Sequence, residues 1–138
     1  MNDKQITIAE FVESAGIRMT ARRVENNPNM APDRYITRHF RCTFTSTKTR
    51  GRMAVSFSQG SLHTADPTAA DVLDCLANEA SSAEQAEDFA DFCAEFDYDT
   101  DSREAERTFR ACRSVAKRLR RFLGDSACET LFYGCERL

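Results

Sequence analysis

The chain has 138 residues, of which 41% are hydrophobic and 30% charged, the mixture expected of one soluble globular domain spanning residues 1–138. No apolar run approaches the roughly 20 residues of a membrane-crossing helix, and the opening MNDKQITIAEF has no basic stretch followed by an apolar one, so neither a span nor a secretory signal is expected. The formal charge of −3 hides segregation: residues 1–60 hold ten basic and five acidic residues, 61–109 two and fourteen, and 110–123 six and none.

Thr7 and Glu10 fit a capping box, and Gly16 is placed to end the short helix that they begin. Ile17, Met19 and Ala21 alternate with polar residues as a strand does. The stretch ENNPNMAPD reads as a loop, since Pro28 and Pro32 lack backbone donors and asparagine favours turns. Phe40, Cys42 and Phe44 alternate with Arg41, Thr43 and Thr45. Met53, Val55 and Phe57 alternate with Ala54, Ser56 and Ser58. With TKTRG between them, these runs predict an antiparallel hairpin with one apolar face.

After the loop QGSLHTADP the apolar period changes to about 3.6. Ala69, Val72, Leu73, Leu76 and Ala80 form one stripe, with Pro67 in the first turn. Ala86, Phe89, Ala90, Cys93 and Phe96 form a second. Ala105, Phe109, Cys112, Ala116, Leu119 and Leu123 form a third, which ends at Gly124. Cys128, Leu131, Phe132 and Cys135 mark a short closing helix. The predicted fold is α+β: an N-terminal helix and a three-stranded antiparallel sheet (1–60), then three to four helices (61–138) that cover one sheet face.

Asp97, Asp99 and Asp101 occupy alternate positions, as the first three ligands of a calcium-binding EF-hand loop do. The sixth position would be Ser102 rather than glycine, and the twelfth Thr108 rather than the bidentate glutamate. The spacing is better read as a polar helix entrance, with Asp101 or Ser102 as its cap and Glu106–Arg110 as an i,i+4 pair. His39-x-x-Cys42 is half a zinc pattern, but residues three apart in a strand point to opposite faces. The chain has no C-x-x-C, no phosphate-binding glycine loop, no G-x-S-x-G and no spacing that pairs a cysteine with His39 or His63. No catalytic residue, metal or cofactor is assigned, and a non-enzymatic protein is expected. The six cysteines (Cys42, Cys75, Cys93, Cys112, Cys128 and Cys135) are expected as reduced thiols in a cytoplasm, although their even number also permits a disulfide framework.

Two opposed charged faces remain. Glu84, Glu87, Asp88, Asp91 and Glu95 fall within roughly 100° of arc on the second predicted helix, and Asp97, Asp99 and Asp101 extend the patch. Arg110, Arg113, Lys117, Arg120 and Arg121 line the next helix opposite its apolar stripe. Both can be solvated faces partly paired with each other. Otherwise the acidic face engages a basic nucleic-acid-binding protein, or the basic face holds nucleic acid or an acidic partner. A basic sheet face through Arg18, Arg22, Arg38, Lys48, Arg50 and Arg52 is a further candidate.

The α-β-β-β-α order resembles a double-stranded-RNA-binding domain, but that family has a lysine-rich start to its second helix where this chain reads ADPTAADVLD. The segments ADVLDCLA and YDTDSREAERT, with ITIAEF, GIRM and NPNM upstream, resemble a family of small accessory proteins of tailed phages. The resemblance spans most of the chain and transfers no catalytic residue. It implies a phage accessory protein acting in a bacterial cytoplasm. The function it implies is inhibition of a host protein or ribonucleoprotein complex, an anti-CRISPR acting on a Cas effector foremost, through the acidic face. The alternative is direct nucleic-acid binding through the basic helix or the arginine-rich hairpin.

Overall fold

The computed structural model describes residues 5–24, 38–59 and 67–136. The predicted loop at 25–33, most of the loop at 59–67 with His63, and the side chain of Arg38 lie outside the described residues. The elements are α1 (Ile8–Ala15), β1 (Ile17–Val24), β2 (Arg38–Ser46), β3 (Arg52–Gln59), α2 (Ala69–Gln85), α3 (Phe89–Phe96), α4 (Arg103–Leu123) and α5 (Asp125–Tyr133). The expected α+β order of one helix, three strands and a helical C-terminal part is the observed one.

Local chemistry sets the boundaries. The Thr7–Glu10 capping box opens α1, and Gly16 closes it at φ 66°, a left-handed conformation that glycine adopts at little cost. Thr68 and Asp71 form a second capping box ahead of α2, so Pro67 precedes the cap rather than sitting in the first turn. Ser102 caps α4, its hydroxyl accepting from the Ala105 N–H at 3.1 Å.

The strands form an antiparallel meander in the order β1-β2-β3. Period two sends Phe40, Cys42, Phe44, Met53, Val55 and Phe57 to one face, where all are buried. They pack against Val72, Leu73 and Leu76 of α2, Ala116 and Leu119 of α4, and Leu131 and Phe132 of α5. A short parallel bridge joins Ile6 to Cys135 through bonds of 3.2 and 2.8 Å. Cys135 therefore stands in that bridge and not in the closing helix, which ends at Tyr133.

A second cluster of Ala83, Phe92, Phe109 and Cys112 joins α2, α3 and α4. Here the structure corrects the predicted second helix. Helix α2 runs on to Gln85, and α3 begins only at Phe89, because the Asp88 carboxylate accepts the Asp91 N–H and takes the cap. The buried stripe is centred on Phe92 and Cys93, with Phe89 and Phe96 half-buried, whereas Ala90 is exposed.

Candidate nucleic-acid interface

The predicted acidic face does not survive as one helix surface. Glu84 belongs to α2, while Glu87 and Asp88 precede α3. Arg120 of α4 grips Glu84 with two bonds of 2.6 Å and reaches Glu129 at 3.0 Å. The Tyr133 hydroxyl also donates to Glu84, at 3.2 Å. The hydrogen bonds from Arg120 hold the Glu84 carboxyl below the usual glutamate range against the opposing effect of burial. One member of each predicted charged face is thus consumed by the other.

The remaining acids differ in use. Asp88 accepts the Asp91 N–H, and Asp91 accepts the Glu87 N–H. Asp97 closes α3 in the left-handed region, φ 57°, where aspartate is tolerated. Asp99 accepts the Asp101 N–H at 2.9 Å, as an Asx turn does. Glu95, Asp97, Asp99 and Asp101 are exposed, and among the described residues none of the four forms an ion pair. Among the described residues no three His, Cys, Asp or Glu side chains gather as a metal-ligand set. His39 and Cys42 lie on opposite sheet faces, as their spacing requires.

The basic residues of α4 separate by helical phase. Arg113 lies over the Phe109 ring, 5.2 Å from its centroid, while Lys117 and Arg121 are exposed. Arg110 pairs with Glu106 as the i,i+4 spacing predicts. Arg107, Arg110 and Arg118 fall on the side that faces β3, where Arg118 donates to the Ala54 carbonyl at 2.9 Å. Arg107 and Arg118 were not part of the predicted face; their spacing from Ala111 and Ser114 on a 3.6-residue period is the signal that places them together.

The sheet surface turned away from the helices holds the most coherent charge. The register aligns Arg18 with Thr45 and Arg52, Thr20 with Thr43 and Ala54, and Arg22 with Arg41 and Ser56. Arg18, Arg22, Arg41 and Arg52 are all exposed. None of the three strands contains an aspartate or glutamate. Arg22 and Arg41 stand directly opposite, an arrangement that destabilises a sheet. Arg41 donates to Ser56 at 3.2 Å, on the strand away from Arg22. Strand spacing and rise set the four guanidinium-bearing positions on a patch of roughly 10 by 13 Å. Among the described strand residues, this face carries no Phe, Tyr or Trp on which a base can stack. His39, which closes its last row with Val24, has its pKa lowered by burial and adds no charge at neutral pH.

The other basic candidates sit beyond the end of the sheet. Lys48 turns back to donate to the Ser14 carbonyl at 3.0 Å, and Arg50 occupies the β2–β3 turn at φ 61°. A groove of about 470 Å³ beside them is lined by Ser14, Thr49, Ser126 and Thr130, with Lys48 and Asp125 the charged groups among its described lining residues.

A buried carboxyl escaped the sequence reading. Glu79 of α2 is wholly buried and accepts the Tyr98 hydroxyl at 2.8 Å, while its second oxygen has no hydrogen-bond partner. Burial pushes its pKa up to about 8 despite the Tyr98 bond. Its signal was its place three residues after Leu76, inside the apolar stripe. The six cysteines are unbridged, and burial raises the thiols of Cys42 and Cys128 to about 12, which disfavours nucleophilic thiolate. No helix among the described residues is long and apolar enough to cross a membrane. Comparison with protein-family models, with curated proteins and with solved structures finds no match for this chain.

Proposed function

We propose that the protein is a non-enzymatic nucleic-acid-binding protein whose open sheet face holds the phosphate backbone of a duplex. The observation that carries this reading is the direct opposition of Arg22 and Arg41 in a sheet whose strands hold no carboxylate. Such a pair lowers the stability of the free protein, and a polyanion laid across the sheet relieves it. The described strands put no aromatic side chain on this face, which argues against base stacking, the usual means of gripping single strands. Phosphate contacts fix position without reading bases, so binding is expected to be nearly independent of sequence. Four arginines releasing one counterion each correspond to a slope of log K against log salt of roughly −3.6.

Fluorescence anisotropy with two unrelated duplexes at several salt concentrations tests this. Equal affinities that fall steeply with salt are expected. Binding that ignores salt, or no binding at low salt, would remove the reading.

The acidic segment favours a second reading. Glu95, Asp97, Asp99 and Asp101 are exposed carboxylates on a turn braced by its own caps. In the setting that the phage resemblance implies, this turn would occupy a basic nucleic-acid channel of a host complex such as a Cas effector. Capture of such a complex from nuclease-treated lysate, lost on reversing these four residues to lysine, is the expected result. Capture that survives the reversal in a folded variant rules the acidic turn out.

A further inference from the structure

We propose that the groove between α4 and the β3 edge is a binding site for a phosphomonoester, the terminal phosphate of a nucleic-acid strand or of a free nucleotide. Only the first source rests on the nucleic-acid reading above. The groove encloses about 350 Å³, close to the lower end of small-molecule pockets and too small for a duplex. Arg107, Arg110 and Arg118 line it together with Ser56 and Ser114, and Val55 and Val115 form part of its apolar floor.

Three arginines of one helix line this one cavity. Among the described residues only Arg110 is ion-paired, through Glu106 on its own helix. Arg118 is steadied by the Ala54 carbonyl and keeps further N–H donors, so one fork is pre-positioned. Planar forks match phosphate oxygens with paired bonds. A monoester carries about −1.5 to −2 charges at neutral pH, against −1 for a backbone diester, so a three-arginine site favours the chain end over the chain interior. Ser56 belongs both to this groove and to the Arg22–Arg41–Ser56 row. A duplex on the open face can therefore present its 5′ end here without leaving the sheet.

Calorimetry with adenosine 5′-monophosphate and with adenosine is to be paired with anisotropy on 5′-phosphorylated and 5′-hydroxyl duplexes. The nucleotide is expected to bind and the nucleoside not. The phosphorylated duplex is expected to bind about tenfold more tightly than the hydroxyl one. Arg107→Ser, which removes no hydrogen bond or ion pair within the described protein, is expected to erase that preference and leave hydroxyl-duplex binding intact. Equal affinity for both duplexes without nucleotide binding would overturn the site and leave the sheet reading standing. Nucleotide binding lost in Arg107→Ser, with neither duplex bound, would keep the site for a free nucleotide and remove the sheet reading. Silence from all four probes would remove both.

Discussion

The open sheet face and the segment from Glu87 to Asp101 are both regions of one sign, and they engage their charges differently. In the acidic segment, Asp88, Asp91 and Asp99 each accept a backbone N–H, so part of the negative charge is already at work holding α3 and its turn. On the sheet, Arg22 faces Arg41 with no carboxylate in any strand. Charge that stabilises its own fold needs no partner to explain it. Charge that strains the fold does, and this difference moves the functional assignment from the acids to the arginines.

The acidic segment rests on a small aromatic core. Phe92 is fully buried, with ring centroids of Phe96, Phe109 and Tyr98 within 5.0 to 5.8 Å. Phe92→Ala is expected to cost about 3–5 kcal/mol in denaturant unfolding. The sheet rests on the other core cluster, so duplex binding per folded molecule should be unchanged.

Glu79 comes next. Its folded pKa of about 8 lies above the ordinary value of 4.5, so the folded state holds the proton between these values and the unfolded state does not. Stability then falls as pH rises from about 4.5 to about 8 and levels off above, by up to ~1.4 kcal/mol per pH unit. Unfolding midpoints across that range should show Glu79→Gln without this decline. An equal decline in both proteins would mean that Glu79 is not the group responsible.

Arg120→Ala removes the grip on Glu84 and Glu129 and is expected to cost about 1–3 kcal/mol at neutral pH. Because the Glu84 pKa is depressed, its stabilisation is present above the usual glutamate pKa and lost as pH falls through the lowered value. The variant should therefore approach the wild type in acid. Its duplex affinity should hold, since Arg120 is bound to its own chain.

The smallest effect is the most diagnostic. Arg41→Ser relieves the opposition to Arg22 and should raise stability by about 0.2–1 kcal/mol while weakening duplex binding. A variant that loses both stability and binding would show that Arg41 is structural.

Much of the fold was legible because its periods are clean. Phe40, Cys42 and Phe44 against Met53, Val55 and Phe57 can be read only as paired strands, and the Thr7 cap marks its helix directly, while the choice between Asp101 and Ser102 fell to the structure. The start of α3 was not, because Ala86 and Ala90 continue an apolar stripe that the Asp88 cap interrupts in space. The functional surface was legible in part. The predicted basic face held Arg18, Arg22 and Arg52 but omitted Arg41, which strand alternation puts beside them, and only the register reveals that Arg22 meets Arg41. The Glu84–Arg120 bond joins residues 36 positions apart, which no local pattern encodes. The Arg107–Arg118 groove depends on how α4 is rotated against β3, a packing outcome beyond helical periodicity.

Whether the sheet arginines hold a duplex is read from the salt dependence of duplex binding by the wild type and by Arg22→Ser/Arg41→Ser. The double variant is expected to stay folded, lose affinity, and show a log–log slope shallower by roughly two. An unchanged slope and affinity in a folded double variant would contradict it and return the assignment to the acidic turn.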